Sequence, residues 1–146
     1  MRLGIIFFII LFMIGCSNQN LSNTDKALVE KFHEQMQDVN QLIDELDLLL
    51  VEFQRNDELA EAIEMMETAK SEANKIVGDL QTFKTENNSL KEYRKRYEAA
   101  LIQYTTGLQL QIDGMKNWDG QKTTEGFQQT EQAKNDLKQY FEGWPF

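Results

Sequence analysis

A chain of 146 residues is long enough for one buried core, and with 24 Asp and Glu against 15 Lys and Arg its formal charge of −9 disfavours nucleic acid as a partner. One cysteine and one histidine exclude an internal disulfide and a Cys- or His-based metal cluster, so no metal or cofactor site is expected. A single proline and eight glycines among many Glu, Gln, Lys, Leu and Ala point to helix nearly throughout.

The chain opens with one positive charge, Arg2, followed by an unbroken apolar run from Leu3 to Ile14. That run is well short of the roughly 20 residues a spanning helix needs, and it has the proportions of a secretory signal core. Met13-Ile14-Gly15-Cys16 then gives way to Ser17, Asn18, Gln19 and Asn20. The junction resembles the lipobox of bacterial lipoproteins, with Met13 in the place usually held by Leu. The resemblance covers only these first sixteen residues. It implies removal of residues 1–15, acylation of Cys16 by a diacylglycerol, and attachment to the extracytoplasmic face of the cell membrane. Two acyl chains suffice for stable anchoring where one does not. On this reading residues 16–21 are a polar tether and residues 22–146 the folded body. The mature chain holds 14 basic against 24 acidic residues, a charge of −10.

Ser22, with Asp25 three residues on, marks a helix start. Val29, Phe32, Met36, Val39, Ile43, Leu46, Leu50 and Phe53 then recur at steps of three and four, an apolar seam of helical type. Leu42 and Leu49 widen it, as in a globular bundle, and Leu48 with Val51 suggest a second buried face. A second seam runs Leu59, Ala62, Met66, Ala69, Ala73, Ile76, Leu80, Phe83, two residues out of phase with the first. A continuous supercoil absorbs slips of three or four, so a break is predicted at Arg55-Asn56-Asp57, with Asn56 or Asp57 capping the next helix.

Between the second and third helices two readings stand. Glu86-Asn87-Asn88-Ser89 is polar, and Ser89 with Glu92 makes a capping box, which favours a turn. Yet the heptad phase runs through Phe83, Leu90, Tyr97 and Tyr104, with Asn87 and Arg94 at positions that a core would fill with apolar groups. One long helix, and so an extended coiled coil, is the alternative. The third helix is predicted from Leu90 to about Lys116 and Asn117–Gly120 as a loop. A fourth carries Phe127, Thr130, Ala133, Leu137, Tyr140 and Phe141, ending near Gly143 and Pro145. The expected fold is all-α, an antiparallel four-helix bundle in up-down-up-down order.

Few residues suggest chemistry. His33 flanks the first seam and reads as a surface residue. Ser17, Ser22, Ser71 and Ser89 lack a nucleophile elbow, and pairs such as Asp44 and Asp47 read as a solvated acidic face. Asn117, Asp119 and Gly120 suggest a calcium loop, but its first and closing ligand positions are Met115 and Gly126. Lys91, Arg94, Lys95 and Arg96, interleaved with Tyr93 and Tyr97, form a basic cluster. The span 38–67 upstream holds ten acids and one base, Arg55, so the cluster is expected beside that span or facing an external anionic partner. Tyr93, Tyr97 and Tyr104 share a stripe and read as core, with a ligand-binding aromatic platform as the alternative. Trp144 and Phe146 either cap the bundle or form a recognition tail. The chain therefore reads as a non-catalytic, membrane-anchored interaction or scaffold protein of the cell envelope. Cys16 is its lipidation site, and Lys91, Arg94, Lys95, Trp144 and Phe146 are its candidate surface for an envelope protein. A wall-polymer or small-ligand module and a self-associating coiled-coil spacer are the alternatives.

Overall fold

The computed structural model describes residues 21–56 and 58–146. The expected signal segment, Cys16, most of the expected tether and the expected Asp57 cap lie outside the described residues. Among the described residues there are four helices: α1 (Asn23–Asn56), α2 (Leu59–Thr82), α3 (Asn88–Lys116) and α4 (Gly120–Glu142). None is long and apolar enough to cross a membrane. Each packs on its sequence neighbours, and α4 closes the ring against α1 along the thinnest of the four seams. The order is up-down-up-down. One end holds the start of α1, the α2–α3 loop and the chain's last residues. The far end holds the α1–α2 and α3–α4 turns.

The two predicted seams face one intramolecular core. Phe32, Met36, Val39, Ile43 and Leu46 from α1 meet Met66, Ala69, Ala73 and Leu80 from α2, joined by Tyr97, Leu101, Tyr104 and Leu108 from α3. An extended coiled coil is excluded, because the chain turns between α2 and α3. Asn87 and Arg94, the two polar residues that interrupt the apolar phase, make that turn. Asn87 caps α3, its Oδ1 accepting the Leu90 N–H at 3.0 Å. Arg94 Nη1 donates to the carbonyls of Leu80 at 2.7 Å and Phe83 at 3.2 Å, satisfying the exposed end of α2. The Ser89 cap expectation is therefore corrected: Ser89 lies within the first turn of α3.

At the α1–α2 turn Asn56 closes α1 instead of capping α2, and Glu58 holds the N-cap position without a side-chain bond. The turn is held by the Glu58 N–H on the Phe53 carbonyl at 3.0 Å. Ser22 caps α1 as expected, accepting the Asp25 N–H at 3.0 Å. Asp119, next to Trp118 at φ 56°, caps α4 through the Lys122 N–H, so Gly120 belongs to the helix and not to the loop. In α2 the seam drifts, burying Val77 and leaving Ile76 partly exposed, as a 3.6-residue helix drifts against a 3.5 repeat.

Helices α3 and α4 approach most closely, because glycines line their contact. A Cβ on Gly126 would stand 2.6 Å from the Gln111 backbone nitrogen, and one on Gly107 would stand 2.8 Å from that of Thr130. Across the same contact Gln111 Nε2 donates to Thr130 Oγ1 at 2.9 Å, a buried pair that sets the register.

Tyr97 and Tyr104 bury their phenols in the core with no hydrogen-bond partner among the described residues. Burial pushes both hydroxyls up, reinforced by Tyr93 for the first and by Asp47 and Glu131 for the second. Ionisation is then easier in the unfolded chain, whose tyrosines titrate near pH 10. The associated stability is complete below that value and falls as pH rises above it, by up to about 1.4 kcal/mol per tyrosine per pH unit. Alkaline titration should therefore show tyrosinate absorbance from these two residues appearing together with loss of helix. Tyr97→Phe should move that transition to higher pH. Ionisation of all four tyrosines while the helical signal persists would contradict their burial.

Candidate functional site

The apolar residues that the core does not use cluster at the far end. Trp118 is 85% exposed, Leu48 73%, Phe127 55% and Val51 49%, and Leu59 is also exposed there; among the described residues only Ile102 of the large exposed apolar side chains lies elsewhere. The second buried face expected at Leu48 and Val51 is therefore absent. Both stand exposed on α1, Val51 at the edge of a cleft between α1 and α4 and Leu48 outside it.

Small or flexible groups form the floor of that cleft, with Ala62 of α2, Gln111 and Met115 of α3 beneath, and Leu50, Val51, Phe53, Leu59 and Phe127 form its walls. Its volume is about 470 Å³. Phe53 and Leu59 thus meet across the α1–α2 turn, as the phase slip predicted. A second depression of about 410 Å³ continues along the α1–α4 seam between Asn40 and Ile43 on one side and Lys138 and Phe141 on the other. The two share Asp47 and Lys134, which stand where the halves join.

Lys134 Nζ bridges the seam, 2.6 Å from Asp47 Oδ2 and 2.5 Å from Glu131 Oε1. Partial burial works to lower its pKa, and the two carboxylates more than offset this, holding it above the usual lysine value. The remaining charges near the cleft are mostly acidic. Asp44, Asp47, Glu58, Glu131 and Glu142 line or rim the groove. Bases of the far end are partly engaged by acids: Lys116 meets Glu67 at 2.6 Å and Lys122 meets Asp113 at 3.3 Å. These contacts depress both carboxyls, Glu67 chiefly through its bond to Lys116 and Asp113 chiefly through bonds from Gln109 and Lys122. Segments 38–67 and 113–131 together hold fourteen acids and three bases, so the rest of residues 16–146 is close to neutral.

The residues predicted from sequence lie at the opposite end. Lys91 and Lys95 are exposed, Lys95 sitting 3.6 Å from Glu92, while Arg94 is committed to the end of α2. The basic cluster does not neighbour the acidic span. Helix α2 carries the chain about 36 Å back along the bundle, at 1.5 Å per residue, before α3 begins. Trp144 folds back onto Phe32 and Tyr93, with ring centres 5.1 Å from each, and Phe146 packs edge-on against Trp144 and Tyr93. They cap the bundle and do not form a free tail. His33 is corrected likewise: it is half-buried, stacked on Phe141 at 5.4 Å, with Nδ1 buried and unpartnered among the described residues. Tyr97 and Tyr104 are interior, which removes the aromatic platform.

Among the described residues no three His, Cys, Asp or Glu side chains converge on a metal-sized site. The cleft offers a largely apolar lining and anionic rims, a surface suited to binding. Comparison with protein-family models, curated proteins and solved structures yields no match for this chain.

Proposed function

We propose that the chain is a lipid-anchored, non-catalytic interaction protein of the bacterial cell envelope, held at the extracytoplasmic face of the membrane through Cys16. One observation carries the reading. The exposed apolar side chains and the excess carboxylates gather at the bundle end farthest from residue 21, where the chain leads back toward Cys16. Six residues separate Cys16 from the first residue of α1, and fully extended they reach about 20 Å. Helix α1 then runs about 51 Å to the far end. Anchoring at one end thus presents the cleft at the other, away from the headgroups.

The distribution of charge supports the same orientation. Lys91, Lys95 and Arg96 lie at the end nearer the anchor, where each base near an anionic leaflet contributes about 1 kcal/mol. The acidic end is repelled from that leaflet. Tethering raises the local concentration of the bundle for partners at the same membrane, so a modest affinity suffices. A small-ligand role is the second reading, favoured by a cleft volume inside the range of about 300–1,000 Å³ usual for such sites.

The anchor is tested by growing cells with a labelled fatty acid. The wild-type chain is expected to carry the label and to sediment with membranes, while Cys16→Ala is expected to lose the label and to be released or to persist as a precursor. A wild-type chain without label would overturn the lipoprotein reading.

A further inference from the structure

We infer that the α1–α4 groove, running from mid-bundle to the far end, is a docking site for a basic amphipathic helix of a partner protein. The inference rests on the reading of the chain as a binding protein and names the chemistry of its partner. Three features of the groove point to this occupant.

The first is length. The groove runs from Asn40 to Gln54 along α1, fifteen residues and about 21 Å at helical rise, which matches four turns of a docked helix. The second is the arrangement of apolar groups. Leu50, Val51, Phe53 and Phe127 line the far half, and Ile43 and Phe141 line the other. A helix with apolar side chains at i, i+3 or i+4 and i+7 buries such a strip against its own apolar face.

The third is charge. Asp44 and Asp47 on α1 and Glu131 and Glu142 on α4 stand on both sides of the groove, with Glu58 at its end. Lys134 and Lys138 are the bases among the groove-lining residues, Lys134 bridged to Asp47 and Glu131 and Lys138 3.9 Å from Glu142, so five carboxylates still face two ammonium groups. A helix carrying Lys or Arg on the flanks of its apolar face meets carboxylates on either side. A second copy of this chain would bring its own acidic far end against these rims, and like charges in contact disfavour that pairing.

The test uses the full chain held in zwitterionic nanodiscs, so that a cationic probe finds no anionic lipid. The probe is a fluorescent peptide of about 14 residues, four turns long, with leucine on one helical face and lysine on the other. Three control peptides are titrated beside it: a scramble of equal composition, a glutamate-for-lysine analogue, and the same probe on empty nanodiscs. The account expects saturable binding above the empty-disc signal, weakened at least tenfold by Val51→Glu or Phe127→Glu and by a tenfold rise in salt, and abolished in the glutamate analogue. Both positions are half exposed, so the folded helix content of each variant is expected to be unchanged and is checked by circular dichroism.

Binding that the scramble reproduces, or that Phe127→Glu leaves intact, would overturn the inference. So would concentration-dependent self-association that Phe127→Glu relieves, because the occupant would then be a second copy. A chain that carries the fatty-acid label yet ignores the peptide fails this inference alone. A chain without the label, recovered from the medium, is titrated in the same way. Peptide binding there would leave the groove assignment standing while the anchor fails.

Discussion

Phe32→Ala is expected to lose about 4 kcal/mol of stability, a large share of the roughly 5–15 kcal/mol that holds a domain together. The Phe32 ring is fully buried and meets Phe83, Tyr93, Tyr97 and Trp144 edge-on, with centres 5.1 to 6.3 Å away. Its removal takes away one ring from each of four edge-to-face pairs and leaves a cavity among side chains too rigid to collapse. The consequence reaches the C-terminus, since Trp144 loses the surface on which it folds back. Two fluorescence changes are expected. Trp144, partly buried in the wild type, becomes more accessible to an aqueous quencher, while Trp118, already exposed, is unchanged. Stability close to wild type in denaturant titration would show that the aromatic cluster does not hold this end together.

Gly126→Ala is expected to cost about 3 kcal/mol, at the upper end for overpacking, although it adds one methyl group. The new Cβ would fall 2.6 Å from the Gln111 nitrogen and 2.7 Å from the Gly107 carbonyl oxygen, both backbone atoms that no rotamer change can move. Relief requires α3 and α4 to part, which also breaks the buried Gln111–Thr130 bond. Gly78→Ala provides the contrast. A Cβ there meets nothing within 4 Å, and the exchange inside a helix gains about 0.5–1 kcal/mol. If both variants shift the thermal midpoint in the same direction, close α3–α4 packing is not the cause.

Much of the bundle was legible because its seams obey a single period. The two-residue slip after Phe53 located the first turn, and the polar pair Asn87 and Arg94 marked the second before its caps could be assigned. Cap identity was harder to read. Ser89 and Glu92 satisfy the capping-box spacing, yet Asn87 lies two residues earlier and takes the role, since Arg94 needs the chain to turn there to reach the α2 carbonyls. The glycine contact left a signal that periodicity alone ignores. Gly107 and Gly114 are one heptad apart on one face of α3, and each lies against α4.

The candidate site was the least legible part. Leu48 and Val51 are apolar and off the main seam, and an amphipathic pattern tells which residues prefer burial, not whether a neighbouring helix reaches them. Phe127 belongs by pattern to the α4 core stripe but stands where α4 has separated from α1. The charges Lys91, Arg94 and Lys95 caught attention in sequence because they adjoin one another. The carboxylates of the groove come from residues far apart in the chain, and only folding brings Asp47 beside Glu131 and Lys134.

A bundle tethered through Cys16 is expected to hold its acidic, apolar end away from the membrane, and energy transfer from the protein to the bilayer measures that orientation. The full chain is labelled with a donor at position 118 in one sample and at position 84 in another, both exposed, and reconstituted with acceptor-labelled lipid. The acceptor is chosen with a transfer distance on the order of the α1 length, about 51 Å. The account predicts strong transfer from position 84, in the loop between α2 and α3, and weak transfer from position 118, at the α3–α4 turn. Equal transfer from the two positions, or stronger transfer from position 118, would contradict it.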